Sequence, residues 1–217
     1  MRRALALLAA IALGLLVGRL SAPQPTSPPL ATPRSPGPTR EGAGGVGVGY
    51  AHSRAGAIAA SARYQQAFTD AAILRPGELR ARIEAVATPR RARAMLRANA
   101  PGAARLASGP FGQGIGEGVP SAYLGVPVAY RLLRYSPRRA LIRTWGFTVL
   151  GNASTLEPSA YFGLSRTELV WREGDWKIAD TRASFGPTPR LATPRRGGEG
   201  FALIDLLGEM RPYGIAP

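Results

Sequence analysis

The chain reads as an α+β protein: three N-terminal helices packed on a curved, mainly antiparallel four-stranded sheet, preceded by an apolar segment and a Pro-rich linker. Three observations predict this. Apolar residues recur at helical spacing from Ser53 to Pro101. From Val126 onward they alternate, as in half-buried strands. Trp171-Arg-Glu-Gly-Asp-Trp176 then reads as two strands joined at Glu173-Gly174, since Gly suits the positive φ of a two-residue hairpin turn. Helices grouped ahead of an antiparallel sheet define the α+β class.

The hairpin organises the rest. Its register sets Arg172 opposite Asp175, Trp171 opposite Trp176 and Leu169 opposite Ile178. Leu169, Trp171, Trp176 and Ile178 then share one apolar face. Glu168, Arg172, Asp175 and Lys177 share the wet face, with Val170 the exception. The dry face needs a cover, and the first helix supplies it.

At the N-terminus, Met1-Arg2-Arg3 precedes an uncharged run from Ala4 to Gly18, closed by Arg19-Leu20. A span needs roughly 17–25 apolar residues, which this run reaches if Arg19 snorkels. A signal peptide ending at Ser21-Ala22 fits the same length, but Pro23 stands just past that cut. The reading is therefore a single-pass anchor of the cell membrane over 1–20, with an extracytoplasmic domain. The alternative is a protein secreted after cleavage.

Residues 21–49 read as a disordered Pro/Gly-rich linker, Pro23 to Pro38 followed by Glu41–Gly49. Gly42, Gly44 and Gly47 match G-x-G-x-x-G, but no strand precedes them, which argues against nucleotide binding. The folded domain is expected over 50–190.

Ser53 is the expected N-cap of a helix over Ala55–Ala72, with Ala57, Ser61, Tyr64, Phe68 and Ala71 inward. Pro76 opens a second helix with Leu79, Ile83 and Val86 inward and a Glu78–Arg82 pair outside. Thr88-Pro89 starts a third, with Ala92, Met95, Leu96 and Asn99 inward, ending at Pro101. Ser108–Pro120 reads as a mobile glycine-rich loop that lacks the residues of a P-loop. Strands follow over Val126–Tyr135 and Ala140–Leu150, with Pro127 near a strand start or sheet edge. The first helix is expected to set Tyr64 and Phe68 against Trp145, Trp171 and Trp176. Residues 191–217 form a tail with a short docking helix over Phe201–Met210.

The chain has 28 Lys and Arg against 13 Asp and Glu, a net charge of +15, with Lys177 the sole lysine. Segments 1–40, 41–126 and 127–190 each carry +5, and 191–217 is neutral, so the charge is spread along the chain. No specific nucleic-acid partner is expected, because recognition modules concentrate charge on one face. Adhesion to anionic wall polymers or lipid headgroups fits the balance. With no Cys, thiolate metal sites and nucleophiles are excluded. Asn152-Ala153-Ser154 matches a glycosylation acceptor pattern.

Catalytic chemistry has few residues to draw on. Asp180 shares the tryptophan face by alternation; His52 stands at the start of the first helix and Asp70 near its end. The plain reading of Asp180 is a strand-end residue paired with an arginine. No catalytic, cofactor or metal residue is assigned.

Two stretches carry a resemblance. Gly49-Tyr-Ala-His-Ser-Arg-Ala-Gly-Ala57, and Trp171–Lys177 with Gly186-Pro-Thr-Pro189, resemble actinobacterial membrane-anchored proteins associated with conjugation. The order of elements resembles the nuclear-transport-factor-two-like cone fold. With its anchor and linker, the chain is similar to bitopic assembly components of type IV secretion systems. The resemblance implies a non-enzymatic interaction domain whose partners are other envelope proteins of a transfer complex, with self-association in view. Other cone-fold members bind small molecules or do acid/base work in an interior pocket, which here would lie near Asp180.

Overall fold

The computed structural model describes residues 36–189 and 210–213. The expected anchor, most of the proline tract and residues 201–209 of the expected docking helix lie outside these. The fold is α+β. A short hairpin, β1 (Arg40–Glu41) and β2 (Gly47–Val48), comes first. Helices α1 (Arg54–Gln66), α2 (Pro76–Val86), α3 (Pro89–Ser108) and α4 (Pro110–Gly116) follow. Four long antiparallel strands complete the domain: β3 (Ser121–Ser136), β4 (Arg139–Asn152), β5 (Ser159–Arg172) and β6 (Asp175–Phe185). A two-residue strand, β7 (Arg211–Pro212), pairs with β3 at the far edge, giving the order β6-β5-β4-β3-β7.

The β5–β6 hairpin has the expected register, with Arg172 opposite Asp175, Trp171 opposite Trp176 and Leu169 opposite Ile178. Glu173 and Gly174 both take positive φ, 54° and 75°, as a type I′ turn requires. Leu169, Trp176 and Ile178 are buried with Ala140 and Ile142 of β4 and with Ala57, Ala60 and Tyr64 of α1. Leu79, Ile83 and Val86 of α2 and Ala92 and Met95 of α3 join the same core. Each large side chain buried there contributes about 1.5–3 kcal/mol.

Several expectations are corrected. Glu41–Gly49 is not a linker: it forms most of the β1–β2 hairpin and a 3-10 turn, and Val46, Val48 and Tyr50 are at most 4 % exposed. Glycine spacing suggested slack, but Gly49 at φ +77° and the other positive-φ glycines turn the chain tightly. The glycine-rich stretch after Ser108 holds α4, which buries Phe111. Helix α3 runs through Pro101. Asn99 is exposed and donates to the Met95 carbonyl four residues back. α1 stops at Gln66, and a 3-10 turn over Ala71–Leu74 follows. Glu78 does not pair with Arg82; Arg82 meets Asp70 at 3.3 Å, while Arg80 and Glu84 form the i, i+4 pair.

Trp145 is also corrected. It lies across the sheet from α1, in a second cluster with Ala129 and Met210, and donates from Nε1 to the Pro187 carbonyl at 3.1 Å. Ala140 and Ile142 of β4 face α1, and Trp145 alternates away from them to the other face. Pro127 sits inside β3, next to a bulge between Pro127 and Ala129 that absorbs its missing N–H.

The outer edge of β6 is covered. Thr88 N donates to the Ile178 carbonyl at 3.0 Å, Arg91 Nη2 to the Thr181 carbonyl at 2.6 Å, and Lys177 Nζ to the Ala85 carbonyl at 2.7 Å. The α2–α3 junction thus satisfies groups that an open edge would offer to another chain.

Candidate functional site

The sequence candidates disperse. Asp180 does not share the tryptophan face. A bulge makes Glu168 oppose Asp180 while Leu169 opposes Ile178, so Ala179 is the extra residue and Asp180 turns to the wet face. There it pairs with Arg91 at 3.1 Å and Arg182 at 3.5 Å. His52 is exposed, stacks on Trp171 at 4.0 Å and 8°, and its Nε2 donates to the Pro137 carbonyl. Ser53 caps α1, accepting from Gly56 N at 3.0 Å, and this fixes where His52 can reach. Asp70 caps the 3-10 turn. The backbone N–H of Ala72, and then Arg82, hold its carboxyl below the usual range against the opposing effect of burial. The structure brings none of these three together.

Asp175 is the group that sequence reasoning missed. It was placed on the wet face but is fully buried. Its Oδ1 accepts from Tyr50 N at 3.1 Å and Trp176 N at 2.9 Å; Oδ2 faces Lys177 Nζ at 3.3 Å and the Tyr64 hydroxyl at 3.4 Å. Tyr50, the first residue of the expected domain and just past the expected linker, covers it. Burial, Asp175 and Tyr50 together push the Tyr64 phenol far above its ordinary value. Burial likewise holds Tyr50 up at about 12, opposed by Arg63. At neutral pH both phenols keep their protons; Tyr64 is hydrogen-bonded and ties α1 to β6, whereas the Tyr50 hydroxyl has no partner among the described residues.

Asn152 has a similar role. It is buried, its Oδ1 accepts from the N–H groups of Ser154, Thr155 and Leu156, and its Nδ2 donates to Thr155 Oγ1. This explains the acceptor-like pattern as loop architecture.

A cavity of about 440 Å³ opens where β3 starts, β4 ends, β5 starts and β6 ends. Gln65 of α1, Thr144 and Thr148 of β4, Ser165 of β5 and Phe185 of β6 are among its lining. Among the described residues no Asp, Glu, His, Lys or Arg lines it. Gln65 Nε2 and Ser165 Oγ are buried atoms without a hydrogen-bond partner among the described residues. Close packing keeps the strands small here: a Cβ on Gly146 would fall 2.4 Å from the Val126 carbonyl oxygen. At this end of the sheet Phe185 is 89 %, Leu124 53 % and Tyr161 49 % exposed. The arrangement can hold an uncharged, largely apolar group and offer it a hydrogen bond. It has no acid/base pair.

An α+β domain with an uncharged cavity and an exposed aromatic rim is thus the class of protein defined here. The chain belongs to the family described as Domain of unknown function (DUF8175), whose model matches residues 24–194. No curated protein and no solved structure matches it. Among the described residues, no helix is long and apolar enough to cross a membrane, and no three His, Asp or Glu side chains group as a metal site needs.

Proposed function

We propose that this protein is a non-enzymatic assembly component: an extracytoplasmic domain tethered by its N-terminal segment, serving a conjugative, type IV secretion-like apparatus. In this reading the helices pack on a curved sheet as in the nuclear-transport-factor-two-like cone, and the open end of the sheet receives an envelope protein. The supporting observation is Phe185, a large apolar side chain 89 % exposed beside an uncharged cavity. Clustered exposed apolar groups usually mark a contact surface. Tyr161 would form its rim, and an apolar side chain of the partner would enter the cavity.

A photo-cross-linking residue at position 185, in the full chain in its native membrane, tests this. A discrete adduct with another envelope protein is expected from 185 and none from Arg105, an exposed residue of α3. Equal labelling from both positions would refute the docking role. A second reading places a small neutral molecule in the same cavity, and the unpartnered Gln65 and Ser165 favour it. Extraction of purified protein followed by mass spectrometry would then return one stoichiometric compound, absent from a Ser165→Leu variant.

A further inference from the structure

The sheet register collects charge that the sequence disperses. Arg131 of β3 opposes Arg143 of β4, Arg143 opposes Arg166 of β5, and Arg166 opposes Arg182 of β6. Four arginines therefore cross four strands in one row, on the face turned away from α1. With adjacent strands about 4.8 Å apart, the row spans roughly 14 Å. Arg131, Arg166 and Arg182 are exposed and Arg143 is half-buried.

Like charges directly opposite one another oppose sheet formation, so four in succession need an offset. Nearby carboxylates provide part of one. Asp180 pairs with Arg182, and Glu168 with Arg139 at 3.3 Å. Arg143 and Arg166 have neither an ion pair nor a hydrogen bond from their side chains among the described residues. Beside the row lies a polar concavity of about 680 Å³ to which Arg134, Arg139, Arg166 and Arg182 contribute together with Glu168 and Asp180, four cations against two carboxylates.

The same face continues into aromatic residues. Trp145 lies two residues beyond Arg143, and Phe147 two further, opposite Phe162. The Phe162 ring stacks at 5.8 Å and 22° on Trp145 and lies 5.6 Å from Phe147. Phe147 and Phe162 are half-buried.

We propose that this face binds single-stranded nucleic acid without sequence preference, the arginine row taking phosphates and the Phe147–Phe162 strip taking bases. Arginine suits phosphate because its planar fork donates two parallel hydrogen bonds. A single strand offers phosphates and unstacked bases side by side, whereas a duplex hides its base faces. A lipid surface is a plane and would not fill the concavity. An acidic protein segment would leave the aromatic strip unused. Phe147 and Phe162 also border the apolar cavity, whereas none of the four arginines lines it, so phosphate binding by the row does not depend on the docking role given to that cavity.

The test uses the full-length chain in detergent and fluorescence anisotropy of a labelled oligothymidylate of roughly 20 nucleotides. Binding should be present at about 50 mM salt and fall steeply by about 200 mM. Arg166→Gln should weaken it about fivefold and flatten the salt dependence by about one unit of slope. Phe162→Leu should weaken it with the salt slope unchanged. Arg105→Gln, at an exposed position of α3, should have no effect. The proposal is overturned by absent binding at low salt, or by an Arg105→Gln loss equal to that of Arg166→Gln. Equal or tighter binding to a duplex of the same length, or to phosphatidylglycerol vesicles, would also overturn it.

Discussion

The Tyr64 hydroxyl donates to the Trp176 carbonyl at 2.8 Å, tying α1 to the first residues of β6 across 112 positions of chain. The neighbouring phenol, Tyr50, meets Tyr64 edge-on at 5.5 Å, yet its own buried hydroxyl has no partner among the described residues. Two tyrosines in one core therefore carry opposite energetic signs.

Tyr64→Phe should destabilise the fold by about 1–2 kcal/mol, since it removes a donor and leaves the Trp176 carbonyl unpaired. Tyr50→Phe should be neutral or stabilising, because it removes a hydroxyl that already lacks a bond. Thermal melting of both variants checks this. Equal losses would contradict the assigned pairing.

Asp175 and Lys177 form a buried pair whose members depend on each other, with side chains 0 % and 16 % exposed. Asp175→Ala should cost about 3–5 kcal/mol, because it strands the ammonium and the Tyr50 N–H. Adding Lys177→Met should recover part of that loss. Denaturant titration of the single and double variants reads the coupling, and simple additivity would show that the pair is incidental.

Val46 is 4 % exposed inside the first hairpin and belongs to the main core. Val46→Asp should destabilise by more than about 3 kcal/mol by burying a charge without a partner. A melting midpoint equal to that of the parent chain would restore the linker reading of Glu41–Gly49.

Alkaline pH should unfold the domain. A tyrosine in the unfolded chain loses its proton near 10. Burial holds the folded Tyr50 at about 12 and Tyr64 higher; it also holds Tyr213 at about 12, opposed by hydrogen bonds. Folded-state values above unfolded ones mean that this stability is intact below about pH 10 and is lost as pH rises through about 12. Tyrosinate absorbance and circular dichroism should change together. Ionisation of these phenols at pH 11 with the fold intact would contradict it.

Replacing Trp176, fully buried, by Ala should cost about 3–5 kcal/mol. Trp171 is half-buried beneath His52, so Trp171→Ala should cost visibly less. Melting curves that rank the two the other way would misplace the centre of the core.

The pairing and the apolar face of residues 169–178 were legible from the sequence because side-chain period and turn chemistry act locally. Glu173-Gly174 can close a type I′ turn whatever surrounds it, and alternation then assigns Leu169, Trp171, Trp176 and Ile178 to one face. The inward rows of α1 and α2 followed for the same reason, and so did the Ser53 cap. Tertiary structure alone decided the rest. The bulge at Ala179 sent Asp180 outward, since one extra residue reverses every later side chain on the strand. Asp175 became interior because Tyr50, just past a distant glycine-rich hairpin, and Tyr64 of α1 closed over it. The cavity and the arginine row consist of residues far apart in the chain, and strand register is what sets them side by side.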